Sequence, residues 1–261
     1  MYLWNFIIFI ITLIFYVHIY NHLYVNNTLD IQYIPSYYKR ALDNLVDIKT
    51  PFYFNTHDID LPPTLLLFKN NNMKDKIKKY NKKQNVYSNQ DINIVSHLYD
   101  DFQQINSYLE PYAKYNPYYN FIVGKTNATT PLQYSLYCRN FFYVSEGSVN
   151  ITLIPPKYSK YLSIKKDYES LTYQSNVNVW KPSKIDENSL CNCKKITMKL
   201  SHGHILSIPP YWNYSFQLNE KNSSICSLSY ETVFNRVATL PHYIFKYLKS
   251  QDINLTFLSY N

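Results

Sequence analysis

Glycine is almost missing from this sequence, with three in 261 residues. That excludes a glycine-rich phosphate cradle, which needs several positions free to adopt positive φ against a ligand. Arginine is as scarce, at Arg40, Arg139 and Arg236 only, and no stretch interleaves it with aromatics. The signature of specific nucleic-acid recognition is therefore lacking. No Ser/His/Asp constellation and no paired-carboxylate signal stands out. Cysteine is limited to Cys138, Cys191, Cys193 and Cys226. Cys191 and Cys193 are too close to bridge each other, and either pairs with Cys138 or Cys226 only if the fold and an oxidising compartment allow it. A Cys-Asn-Cys step with two distant single cysteines is also a poor zinc site.

What is present is apolar and aromatic: 46% hydrophobic residues, 29 of the 261 being tyrosine, enough for a substantial core. Asn, Lys and Ile are abundant, as expected of an AT-rich genome, so their numbers carry little functional weight. The net charge of +8 is local, because Lys69 to Asn85 holds seven lysines and one acid. This stretch is read as a solvated insertion loop at 69–85 rather than a patch for acidic lipid or nucleic acid.

Met1 to Tyr20 is a nearly unbroken apolar run with Trp4, Tyr16 and Tyr20 towards its ends. At about 1.5 Å per residue, such a helix matches a hydrocarbon core of about 30 Å, with aromatics at the interfaces. No small-x-small cleavage site follows, so a single-pass anchor is expected over 1–20, with membrane contact through 3–20, rather than a signal peptide. The side of the membrane stays open. Lys39 and Arg40 would hold the body on the cytoplasmic side, whereas six Asn-x-Ser/Thr sequons, at Asn26, Asn127, Asn150, Asn213, Asn222 and Asn254, would suit the other.

Residues 21–50 read as a stalk with a short helix near Tyr37 to Val46, and 51–261 as the folded domain. Asp91 to Tyr115 has apolar residues at helical spacing, with His97 a packing or surface residue. The period then changes to two. Phe141–Val144 and Val149–Pro156 are expected as a hairpin, as are Ile196–Leu200 and His204–Pro210. Gly147 and Gly203 sit at the turns. Further short strands follow in Tyr214–Leu218 and Ser224–Tyr230. Thr232 to Gln251 returns to helical spacing, broken or restarted at Pro241.

"TPLQYSLYCRNFFYVSEGSVNITLIPP" (Thr130 to Pro156) followed by "GHILSIPPYWNYSF" (Gly203 to Phe216) resembles the cupin-like branch of the JmjC family. The likeness is closest to the cupin-like proteins of large DNA viruses. It implies a mainly β fold: a double-stranded β-helix, or jelly-roll, with flanking helices. In active members a His-x-Asp/Glu pair and a later His hold Fe(II) beside 2-oxoglutarate. Carried onto this chain, that pair falls on Gln133 and Ser135; a slip of one residue reaches Leu132, Tyr134 or Leu136, which are no better ligands. The later histidine falls on Tyr214, or on Asn213 one residue earlier, and the co-substrate lysine falls near Val149.

The resemblance therefore implies a degenerate, catalytically inactive member. No cofactor is expected. The chain is read as a membrane-anchored binding or structural protein, in a host or virion membrane if viral, with a protein or glycan partner and no specific nucleic acid. Tyr211, Trp212 and Tyr214 are candidates for a contact surface. The alternative is an Fe(II)/2-oxoglutarate-dependent protein hydroxylase with non-standard ligands drawn from His202, His204 or His57.

Overall fold

The computed structural model describes residues 2–35, 39–56, 86–89, 109–169, 171–221 and 223–251. Two sheets face each other. The first runs in the order β1 (Gln32–Ile34), β2 (Phe52–Asn55), β11 (His204–Ser207), β6 (Arg139–Glu146), β13 (Ser224–Thr232), β4 (Lys114–Gly124), β3 (Val86–Asn89). The second runs β10 (Ile196–Ser201), β7 (Ser148–Ile154), β12 (Asn213–Leu218), β5 (Leu132–Tyr134), β9 (Thr172–Ser175), β8 (Ile164–Asp167). Among the described strands, only β1 and β2 pair in parallel. This is the jelly-roll the sequence motifs imply, mainly β with flanking helices.

The two expected hairpins are not hairpins. β6 and β7 lie in opposite sheets, as do β10 and β11, and pairing instead joins β7 to β10 and β6 to β11. A two-stranded ribbon thus folds over between the sheets, and the glycines form its corner. Gly147 and Gly203 have φ of 71° and 89°. The corner is stitched by His202 N–H to Gly147 O at 2.9 Å and Gly203 N–H to Val144 O at 3.0 Å. A turn glycine looks the same in sequence whether its strands pair or part.

Period-two alternation sorts the side chains. Along β6, Phe142 and Val144 point between the sheets, where they meet Val149, Ile151 and Leu153 of β7 and Phe216 and Leu218 of β12. Phe141 and Tyr143 point the other way, into a cluster closed by Leu42 of α2 (Lys39–Ile48) and by Leu109. Being covered on both faces, β6 carries no free polar side except at its ends. Arg139 there donates to Leu109 O at 3.1 Å and pairs with Asp43 at 2.8 Å, tying strand to helix. The outer face of the second sheet is covered by residues 155–190, including α3 (Lys184–Leu190), through Leu162, Val177, Val179 and Leu190.

The N-terminal apolar run forms α1 (Tyr2–Leu23), a helix long and apolar enough to cross a membrane and unburied over that span. Beyond it, the segment expected as a stalk lies against the domain over its described residues: β1 joins the first sheet, and α2 covers it. The expected helix at 91–115 is described only at its end, where the chain leaves Leu109 and enters β4 at Lys114. Pro111 and the positive φ of Ala113, 55°, explain that exit. The C-terminal helical pattern gives α4 (Val233–Ala238), capped by Thr232, and α5 (Leu240–Ser250), which restarts with Pro241 in its first turn. His57, His97, the 69–85 loop, Asn222 and Asn254 lie outside the described residues.

Candidate functional site

Between the sheets, the rows nearest the Gly147 corner are filled solid. Val149 and Leu218 face each other across β7 and β12, then Ile151 and Phe216, with the Phe142 ring 5.0 Å from that of Phe216. The next row, Leu153, Tyr214 and Gln133, is the first to border open space. There a cavity of about 380 Å³ opens. Gln133, Ser135 and Tyr214 all line it, so the three residues on the implied iron positions meet at one place. Gln133 Nε2 lies 3.4 Å from the Tyr214 hydroxyl, and Ser135 Oγ donates to Asn140 Oδ1 at 3.1 Å.

Side-chain direction distinguishes Tyr214 from Asn213. Tyr214 faces the cavity, whereas Asn213 faces outward and donates to Ser159 Oγ at 2.8 Å. Asn213 is wholly buried, which removes it as a glycan acceptor in this fold. Asn26 is also engaged, donating to Ile48 O and Thr50 Oγ1, both at 3.0 Å. Asn150 is half-buried between Gln217 and Asn219, and Asn127 is exposed.

Three other expectations need correction. Trp212 and Tyr214 are not surface residues: both are buried in the inter-sheet core, and the Trp212 indole donates to Asn26 O at 3.1 Å. Tyr211 alone stays partly exposed, at a φ of 67°. Val149 does not border the cavity. It sits four residues nearer the corner than Leu153, about 13 Å along the strand, and packs between Leu200 and Leu218. His202 and His204 are also at the corner end. Their Nδ1 atoms donate to the carbonyls of Ser145 at 2.7 Å and Ser201 at 3.0 Å. Among the described residues no three His, Cys, Asp or Glu side chains gather as a metal site.

The opposite wall was not anticipated. β13 sends Ser227, Ser229 and Glu231 to the cavity and Cys226, Leu228 and Tyr230 to the outer cluster; neighbouring β4 adds Tyr118 and Asn120. The signal was legible, since Ser-x-Ser-x-Glu on the inward face of a central strand is too polar for plain packing. Asn140 stands behind this wall, accepting from Ser135 and from Ser229 at 2.9 Å while donating to Ile208 O at 3.3 Å. Glu231 is the carboxylate among the described lining residues. It accepts from the Tyr243 hydroxyl and pairs with Arg236 at 3.3 Å.

Six tyrosines line the cavity: Tyr118, Tyr134, Tyr137, Tyr173, Tyr214 and Tyr243. Burial raises every one of their phenol pKa values, and that of Tyr214 is pushed up to about 12. Gln133, Ser135 and Tyr214, on the implied iron positions, therefore offer a neutral amide, a hydroxyl and an un-ionised phenol. These include neither an anion nor an imidazole, so this donor set does not fit Fe(II).

All four cysteines are free thiols: Cys138 just before β6, Cys226 in β13, and Cys191 and Cys193 after α3. A family model described as a cupin-like domain matches residues 45–235. No curated protein matches the chain. With two facing sheets, a ribbon folded at two glycines and a cavity at the open end, the chain belongs to the cupin-like domain family.

Proposed function

We propose that this protein is a membrane-anchored cupin-like domain that binds an uncharged, hydroxyl- or amide-bearing ligand, of which a saccharide is the best fit, and performs no iron chemistry. One observation carries the reading. The residues on the implied iron positions converge on a cavity whose described lining carries six neutral tyrosines, amides and serine hydroxyls, with Glu231 as its carboxylate. Such a wall suits stacking against a sugar face and hydrogen bonding to its hydroxyls. The buried Glu231 carboxylate is already engaged, paired with Arg236 and accepting from the Tyr243 hydroxyl. No observation favours a hydroxylase with ligands from His202 and His204, which sit at the far corner. Anchoring is supported by the length and composition of α1.

The test uses the full chain in detergent. It is incubated anaerobically with Fe(II) and 2-oxoglutarate, desalted, and assayed for retained iron and for 2-oxoglutarate decarboxylation. Iron at the level of a protein-free control is expected. One iron per chain with turnover would sink the proposal. A glycan array probed in parallel should give binding that Gln174→Ala in the cavity wall weakens; no saccharide signal at all removes the ligand assignment.

A further inference from the structure

The membrane-spanning helix does not stand clear of the domain. Near its C-terminal end, Phe15 meets Phe234 of α4 with ring centroids 5.6 Å apart, and His18 stacks on the same ring at 4.2 Å. His22 is buried against the Asn235 side-chain amide at 2.7 Å. If about 20 residues from Tyr2 onward cross a 30 Å core, Phe15 lies about 9 Å inside its boundary. Phe234 is then carried to the same depth. A helix in contact at that depth must present a lipid-compatible surface or the anchor cannot seat.

α4 and α5 present one. Val233 and Val237 are 51% and 36% exposed on one face of α4; Leu240, Ile244 and Tyr247 are 49%, 47% and 65% exposed on one face of α5. From Thr232 to Gln251 the sequence has no acidic residue; of its basic residues, Arg236 is paired with Glu231 and Lys249 with Asp167, both partners lying outside the two helices, and Lys246 adds a further cation. Exposed aliphatics, a tyrosine and basic residues without acids are the composition of a helix lying in an anionic interface, where such faces sink about 5–10 Å. The depth set by Phe15 falls in that range.

We infer that α4 and α5 form a second membrane contact, lying in the headgroup–acyl boundary beside α1 and holding the cupin-like domain flat on the bilayer. The inference rests on the reading of α1 as an anchor, and the test separates the two. The full chain is reconstituted into phosphatidylcholine–phosphatidylserine vesicles containing a diazirine-bearing phospholipid, irradiated, and mapped by mass spectrometry. Labelling of both α1 and the 233–247 peptide is expected. Val237→Glu with Ile244→Glu, both at exposed positions, should reduce labelling of that peptide several-fold and leave α1 labelled. Labelling of α1 alone, or labelling of 233–247 indifferent to the two glutamates, overturns the inference while the anchor stands. An unlabelled α1 overturns the anchor reading, and the depth argument falls with it.

Discussion

Among the described residues, six other than glycine take positive φ: Lys49, Ala113, Asn127, Ser163, Leu171 and Tyr211. A chain with so little glycine uses ordinary residues at left-handed positions, at a cost of about 1 kcal/mol each. Where glycine was kept, sterics give a reason. A Cβ on Gly147 would lie 2.7 Å from Ser223 Oγ and 3.1 Å from Ser223 Cα, with φ already at 71°. Ser223 cannot retreat freely, because its hydroxyl donates to Ser148 O at 2.8 Å. Gly147→Ala should therefore destabilise the fold by about 2 kcal/mol or more. Comparing thermal melts of the variant and the parent checks it; an unchanged midpoint would mean the corner is slack.

At the scale of elements, one side chain adds to the ring contacts that attach α1. Lys49 closes α2 at a φ of 57°, a position glycine would fit with less strain. Its ammonium, however, reaches back to the C-terminal end of α1, donating to Asn21 O, to His22 O at 2.7 Å and, just past the helix, to Tyr24 O at 2.9 Å. Burial pulls its pKa down to about 8, so the charge is held there at a desolvation cost. Lys49→Met keeps the apolar stem but strips three carbonyls of their donor. The expected loss is about 2 kcal/mol, felt locally. Limited proteolysis of the full chain in detergent should show faster cleavage between α1 and β1. Parental cleavage kinetics would mean that the Phe234 contact alone holds the helix.

For the whole molecule, the buried tyrosines set the response to alkali. Tyr134, Tyr137, Tyr143, Tyr173, Tyr214, Tyr230 and Tyr243 all have pKa values raised by burial. A phenol that holds its proton more tightly folded than unfolded contributes stability that is complete below about pH 10, its unfolded value, and drains away as pH climbs to the folded one. Lys49 acts in the opposite sense, adding stability as pH rises above about 8, but it is one group against seven. Thermal stability should hold to about pH 9 and then fall steeply, and the share of the phenolate absorbance that belongs to these seven buried rings should appear only together with unfolding. Complete ionisation of all the tyrosines in a still-folded protein would show the cavity wall to be wetter than its burial implies.

Much was legible in the chain itself. Period-two alternation gave the strands, and the lone Pro241 in a helical stretch marked where α4 ends and α5 begins. An unbroken apolar run gave α1, because its length alone matches a bilayer. The motifs around Arg139 and Trp212 gave the family. Local pattern could not say that β6 and β7 part company at Gly147, because alternation records which face a side chain takes and not which strand lies beside it. Nor could it separate Trp212 in the core from Tyr211 near the surface, or place Val149 away from the cavity. Such assignments depend on the depth of each row between two sheets built from residues far apart in the chain. The sequence by itself, through the family resemblance, put the implied iron positions on Gln133, Ser135 and Tyr214 to within one residue. Only the tertiary structure brought Gln133, Ser135 and Tyr214 against Ser227, Ser229 and Glu231, because strands β5, β12 and β13 meet across the fold and not along the chain.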